Sequence, residues 1–145
     1  MTDLPFKRLD PEAALPERAH AGDAGLDLRS AVDIEVPAGG RAMVPTGLAV
    51  AIPEGFAGLV LPRSGLASRH GLTLANAPGL IDAGYRGELT CAVVNLDREH
   101  AVRIGRGDRI AQLVVVAVPE MRPSWVDELP PSSRGEGGFG STGTS

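Results

Sequence analysis

Ile110-Ala111-Gln112-Leu113-Val114-Val115-Val116-Ala117-Val118, followed at once by Pro119, is an apolar run rich in β-branched residues. It reads as a strand apolar on both faces and covered on both sides, either within one subunit or at an interface. Outward from it, β-type runs recur with turn residues between them. Leu4 to Leu9, Leu26 to Ser30 and Val32 to Val36 come first, and Pro37-Ala38-Gly39-Gly40 then turns the chain. Arg41 to Ile52 is long and Val/Ala-rich; after Pro53-Glu54-Gly55, Phe56 to Leu61 returns. Leu72 to Asn76, Glu88 to Leu96, Val102 to Ile104 and Arg109 to Val118 complete the set. About ten short strands at this spacing predict an all-β sandwich or closed barrel. Ser64 to Arg69 is the best helix candidate, one or two turns long by its length.

Composition agrees. The chain has 145 residues, enough for one domain with a core of its own. It is 43% hydrophobic but only 3% aromatic, so that core must be aliphatic. With Gly 19 and Pro 12 it is too rich in turn residues for a helical bundle. A net charge of -4 and a pI near 5.3 argue against a nucleic-acid-binding surface. Lys7 is the only lysine, so the cations are almost all arginine, whose planar fork suits phosphate. Cys91 is the only cysteine; it lies in an apolar run, excludes an intrachain disulfide and reads as an inert core residue. His20, His70 and His100 do not have metal-ligand spacing. Met1 to Pro5 has no apolar signal core and no run is long enough for a membrane span, so a soluble, cytoplasmic protein is expected.

The chemistry concentrates in Gly79-Leu80-Ile81-Asp82-Ala83-Gly84-Tyr85-Arg86-Gly87-Glu88. An apolar strand tip runs into Asp82, and the chain's only tyrosine follows at Tyr85. The glycines let the backbone approach a ligand closely. This reads as a hairpin with the parts of a nucleoside pocket: a ring to pack on a sugar and a carboxylate to take a proton from water. On residue types alone, Asp82 equally suits a turn cap.

Four further segments place polar residues among apolar ones or glycines. Asp27 stands between Leu26 and Leu28. Pro62-Arg63-Ser64-Gly65 sets a guanidinium and a hydroxyl at a strand-to-helix junction, where backbone N–H groups favour anions. Asn76-Ala77-Pro78 precedes the Asp82 segment, and Gly107-Asp108-Arg109-Ile110-Ala111-Gln112-Leu113 opens the long apolar strand. After Pro130-Pro131 the chain turns glycine- and serine-rich. Composition reads that stretch as a disordered tail, yet Arg134 and Phe139 set among glycines also suit a phosphate-and-base clasp that orders on ligand binding. Trp125, after the last apolar strand, reads as packing against a neighbouring subunit.

The Asp27 segment, Pro62 to Gly65, Asn76 to Glu88, Gly107 to Leu113 and the tail, in this order, resemble the five motifs of the trimeric deoxyuridine triphosphate nucleotidohydrolases, the dUTPases. The resemblance covers the chain from about residue 20 to residue 143. It implies a homotrimer of distorted jelly-roll, or β-barrel, subunits with active sites shared at the interfaces. Residues 1–131 would form the barrel domain, and residues 132–145 an arm carrying the fifth motif. The Asp27, Arg63 and Gln112 motifs would come from one subunit, the Asp82 motif from a second and the arm from the third.

The activity implied is Mg²⁺-dependent hydrolysis of dUTP to dUMP and pyrophosphate, which limits uracil in DNA and supplies dUMP for dTMP synthesis. By this resemblance Asp82 deprotonates the attacking water, Tyr85 stacks under deoxyribose and Asn76 reads the uracil edge. Backbone at Leu80, Ile81 and Thr90 completes the base and sugar contacts. Arg63, Ser64 and Gly65 bind phosphate, and Gln112 reaches the α-phosphate. Arg134 clamps the γ-phosphate, Phe139 covers uracil, and Ser141 and Thr142 add phosphate contacts. The metal would be held mainly by substrate phosphates and waters. Asp27 would support its water shell or a neighbouring arginine. The substrate is the only expected partner beyond the homotrimer, with no membrane and no direct nucleic-acid contact. Two alternatives are a deoxycytidine triphosphate deaminase (alone or bifunctional), with Glu88 as its acid/base, and a non-catalytic nucleotide-binding module on the same scaffold.

Overall fold

In the computed structural model, which describes residues 2–140, 142 and 143, the turn-punctuated apolar runs become ten strands and one short helix. In chain order these are β1 (Phe6–Arg8), β2 (Leu26–Arg29), β3 (Ile34–Val36), β4 (Arg41–Val50) and β5 (Phe56–Leu61), then α1 (Ser64–His70). There follow β6 (Leu72–Leu74), β7 (Gly79–Ile81), β8 (Glu88–Asn95), β9 (Val102–Ile104) and β10 (Arg109–Ala117). One four-stranded sheet has the order β1-β4-β8-β6, a second β2-β10-β5-β7, and β3 pairs with β9. The strand pairs are antiparallel. The aliphatic core expected from composition lies between the sheets, with Leu28, Val36, Val44, Val93 and Leu113 fully buried. The architecture is all-β and jelly-roll-like.

β10 is an inner strand of its sheet, between β2 and β5. Leu113 lies opposite Leu26 on one edge and Val60 on the other, and all three belong to the core or pack on it. Because strand side chains alternate, Gln112, Val114 and Val116 point to the other face. There they are only half-buried, together with Leu59 and Leu61 of β5, while Leu80 of β7 is exposed. The strand is therefore covered on one side within the chain, and the double coverage expected for it is absent from the single subunit.

The Gly79–Glu88 segment also departs from the sequence expectation. β7 pairs with β5 in one sheet, whereas β8 pairs with β4 and β6 in the other. The segment is a crossover between sheets and not a hairpin. β6 stops at Leu74 rather than Asn76: the Ala75 N–H still donates to the Ala92 carbonyl at 2.8 Å, and residues 75–78 then bend toward Pro78.

A bulge in β4 falls between Pro45 and Ala49, at Gly47, whose φ of 71° suits glycine. The Gly47 carbonyl accepts from the Leu9 and Asp10 amides at 2.8 and 3.1 Å. Its own N–H donates to Glu88 Oε1 at 2.9 Å. Cys91 is buried, and burial pushes its thiol up to about 12, as an inert core residue requires. Among the described residues no helix is long and apolar enough to cross a membrane.

Asn95 closes the end of β8. It is fully buried, and its amide donates to the carbonyls of Val36, Pro37 and His100 at 3.2, 3.3 and 2.8 Å while its Oδ1 accepts from the Asp97 N–H at 3.0 Å. Asn95→Ala strips partners from several enclosed backbone groups, each costing about 1–3 kcal/mol when left unpaired. The variant is expected to lose about 3 kcal/mol of stability in urea unfolding. A loss below about 1 kcal/mol would show that the amide is not the tie it resembles.

Candidate active site

The register of β10 assembles the first half of the site. Gln112 lies opposite Asp27 of β2 on one side and Leu61 of β5 on the other. Gln112 Nε2 donates to the Pro62 carbonyl at 3.0 Å, which anchors the start of the Pro62–Gly65 turn. Its amide rests on Gly25, where a Cβ would collide with Oε1, so this close approach requires glycine. Arg63 precedes α1 in an extended conformation, followed by Ser64 and Gly65 in the helix's first turn. The acid Asp27, its side chain 14% exposed, joins two cations: Oδ1 lies 3.4 Å from Arg63 Nε and Oδ2 lies 3.3 Å from Arg109 Nη1. Asp27 thus contacts two arginines across the strand tips. Asp27, Arg63, Ser64, Gly65 and Gln112 line one open pocket of about 500 Å³. A cleft with a guanidinium, a hydroxyl and an amide is suited to an anion.

The second half is the loop between β7 and β8. Asp82 is exposed, and its carbonyl accepts from the Tyr85 N–H at 3.0 Å, closing a turn. Tyr85 Oη donates to the Glu88 carbonyl at 2.9 Å. Its ring lies over Gly87, where a Cβ would come within 2.5 Å of Oη. The tyrosine is thus oriented by its own hydroxyl and remains 42% exposed, offering a ring to a ligand. Arg86 Nη1 donates to the Ala83 and Tyr85 carbonyls at 2.6 and 2.8 Å and braces the turn from within. Asn76 is exposed with its Nδ2 near Gly79, Ile81 packs on the core, and Thr90 is exposed on β8 opposite Pro45.

These halves do not meet within one chain. In the antiparallel pair, Ile81 lies opposite Gly58 near the start of β5, while Arg63 lies past its end. About five residues at about 3.3 Å each separate them, or roughly 17 Å. In the tail, Arg134 and Thr142 are exposed, and Phe139 is fully exposed with a φ of 42°. The Gly135 N–H donates to the Ser132 carbonyl and the Gly137 N–H to that of Arg134, at 3.1 and 3.2 Å. Ser141 lies outside the described residues. Trp125 is fully exposed.

The sequence alone assigns no role to Arg109, Arg86 or Gly25. Arg109 had one signal, a cation at the mouth of an apolar strand; the other two act through backbone contacts that a sequence does not display. Among the described residues no group of three or more His, Cys, Asp or Glu side chains converges as a metal site.

Comparison with known proteins places the chain. The dUTPase family profile matches residues 11–143. A deoxyuridine 5'-triphosphate nucleotidohydrolase of Streptomyces coelicolor is 59% identical over 138 residues, 95% of this chain and 75% of that protein. One from Mycolicibacterium gilvum is 56% identical over 147 residues, 98% of this chain and 96% of its own. Among solved structures, a mutant dUTPase of Staphylococcus bacteriophage 80alpha with dUpNHpp has a TM-score of 0.90 at 36% identity, covering 99% of this chain and 100% of that one. A mutant dUTPase of phage phi11, described with a structural Mg(II) ion, has a TM-score of 0.81 at 31% identity, covering 88% and 98%.

The brace at Arg86 has a direct readout. Arg86→Ala removes both side-chain bonds to the turn but no core contact. Amide exchange at residues 82–87, above all at the Tyr85 N–H, is expected to quicken while global stability changes by less than about 1 kcal/mol. Unchanged exchange would show that the turn holds without it.

Proposed function

The chain belongs to the dUTPase family and is a dUTP diphosphatase, and on that premise we propose that it works as a homotrimer whose sites each draw on three chains. The observation that carries this reading is the separation of the two halves along β5. The carboxylate suited to activating water and the pocket suited to phosphate are both well formed, yet roughly 17 Å apart in one subunit. The half-exposed apolar face formed by Leu59, Leu61, Leu80, Val114 and Val116 supports the same reading, because a sheet face of this kind is stable when a second copy covers it.

In this proposal water attacks the α-phosphorus in line, the bond from that phosphorus to the bridging oxygen breaks, and pyrophosphate leaves. Asp82 of one chain takes the proton of the attacking water. Tyr85 beside it carries the deoxyribose on its ring, where a 2′-hydroxyl would clash. Asn76 and the backbone of Leu80, Ile81 and Thr90 bind the uracil and the sugar. A second chain holds the phosphates with Arg63, the Ser64 hydroxyl, Gly65 and Gln112. The third contributes residues 132–145 as an arm: Arg134 on the γ-phosphate, Phe139 over uracil, and Ser141 and Thr142 on phosphate. A hard cation such as Mg²⁺, which would be held mainly by the substrate's phosphates and water, with Asp27 a carboxylate lining the phosphate pocket, would neutralise phosphate charge. The chain's contribution is positioning, charge stabilisation and a proton acceptor. A deaminase is less well supported, since Glu88, its candidate acid/base, is engaged by the Gly47 N–H. A non-catalytic module would not need Asp82.

Hydrolysis of dUTP with Mg²⁺, against dCTP, dTTP and UTP controls, tests the activity. Asp82→Asn is expected to keep the fold and nucleotide binding and to lose roughly 10²–10⁴-fold in kcat, the usual cost of removing a general base. A kcat within about two-fold of wild type would remove Asp82 from that role.

Chain sharing has its own test. Truncation after Pro131 removes the arm but no strand, so melting should barely change while activity collapses. Co-expression of the truncated chain with full-length Asp82→Asn should restore measurable hydrolysis, because some sites then combine an intact Asp82 with an intact arm from different chains. No recovery in verified mixed oligomers would mean that arm and loop act within one chain.

A further inference from the structure

We propose that Glu88 is a positioning residue for sugar selection: its carboxylate, fixed on the Gly47 N–H, sets the place where its own carbonyl receives the Tyr85 hydroxyl, and so where the ring meets the sugar. The inference deepens the function proposed above and rests on it. It concerns a side chain with no part of its own in the hydrolysis.

The loop that carries Tyr85 is tied mainly to itself. Among the described residues, the hydrogen bonds of residues 82–87 all fall within residues 82–88. A Cβ at Gly84 would meet nothing within 4 Å. Such a loop keeps its internal shape yet moves as one body about its ends. One end is β7, a three-residue strand at the edge of its sheet. The other end, next to the tyrosine, is Glu88.

Glu88 holds the ring through its main chain and β4 through its side chain. Its carbonyl accepts from Tyr85 Oη at 2.9 Å, and its Oε1 accepts from the Gly47 N–H at 2.9 Å. Gly47 is a firm post. Its carbonyl takes the Leu9 and Asp10 N–H groups, and a Cβ there would come within 2.6 Å of Asp10 Cβ and 3.2 Å of Ala13 Cβ. A side-chain tie is needed because the ladder is broken here. The register of β4 against β8 shifts between Pro45, opposite Thr90, and Ala49, opposite Glu88. Across this bulge side chains stand in for backbone: Thr46 Oγ1 donates to the Leu89 carbonyl at 2.7 Å, and the Glu88 carboxylate receives Gly47. Glu88 is half-buried, and a bond from an amide to a carboxylate in such a place is charge-assisted.

The ring rejects a 2′-hydroxyl by contact alone, so rejection depends on where the ring stands; a shift of about 1 Å makes room for the extra oxygen. The chain meets that demand by hanging the tyrosine hydroxyl on the residue that is bolted to the bulge.

The test separates sugar selection from folding and from proton transfer. Glu88→Ala removes the tie, whereas Glu88→Gln keeps an oxygen for the Gly47 N–H and removes the charge. In Glu88→Ala the ratio of kcat/KM for dUTP to that for UTP is expected to fall at least about ten-fold, with dUTP losing mainly in KM. Glu88→Gln should keep that ratio within about three-fold of wild type. An unchanged ratio in Glu88→Ala overturns the proposal. So does an equal loss for both substrates, which would mark a general structural role, or a Glu88→Gln as poor as Glu88→Ala, which would assign the carboxylate to charge or proton transfer.

The chain's only tyrosine gives a readout without nucleotide. Its isotope-labelled ring signals in the NMR spectrum should move in Glu88→Ala and stay close to wild type in Glu88→Gln; unmoved signals in Glu88→Ala overturn the proposal. If Glu88→Ala fails to fold, Tyr85→Phe cuts the same tie at its other end. It should lower the dUTP-to-UTP ratio at least about five-fold with melting nearly unchanged, and an unchanged ratio overturns the proposal. Wild-type dUTP hydrolysis runs as the control. Its failure would sink the proposed function, whereas the tyrosine signals would still judge the Glu88 tie.

Discussion

The hydrogen-bond ladders on both edges of β10 are what the remaining structure depends on. Inward, they set Leu113 between Leu26 and Val60 in the core; outward, they set Gln112 between Asp27 and Leu61. The alternation of a strand makes these two placements a single decision. A slip of one residue would bury the Gln112 amide without partners and expose Leu113, so the energy of the core enforces the register of the polar face. The aliphatic core and the phosphate pocket are thus two sides of one pairing. The bulge between Arg109 and Ala111 lets the strand begin with a cation whose Nη1 reaches Asp27.

Sheet membership has the second large consequence. Because β7 belongs to one sheet and β8 to the other, the loop between them spans a gap, and its shape rests on local bonds. The Tyr85 hydroxyl on the Glu88 carbonyl and Arg86 on two carbonyls hold it from within, and Glu88 on Gly47 ties its far end to the β4 bulge. The loop is built, yet it lies at the other end of β5 from the pocket lined by Arg63 and Gln112. The apolar outer face of β5, β7 and β10 lies between the two. In the proposed homotrimer further copies would cover that face and complete the site, so assembly and catalysis would be linked through one surface.

Much of this was legible in the amino-acid order. The aliphatic runs and their Gly/Pro punctuation located the strands and the single helix to within a few residues, because both signals are local. The five polar segments marked the candidate site, because a carboxylate between leucines or an arginine among glycines is unusual enough to read without coordinates. Other features were not legible. The Gly79–Glu88 segment reads as a hairpin in sequence, since nothing local distinguishes a turn that returns to its own sheet from one that crosses to the other. Gly25 under Gln112, and Gly47 receiving two amides while donating to Glu88, are contacts between distant parts of the chain.

The sequence by itself determined the class of fold, the aliphatic nature of the core, the inert cysteine and the identity of the polar segments. Periodicity, turn chemistry and residue type are properties of neighbours along the chain. Only the tertiary structure decided which of those segments share a pocket and which do not. Asp27, Arg63 and Gln112 converge although they are far apart in order, and Asp82 stands away from them although it lies closer to Arg63 along the chain than Asp27 does. The reason is that strand pairing, and not chain distance, sets proximity: β10 draws β2 and β5 together side by side, while the antiparallel run of β7 along β5 carries Asp82 to the opposite end.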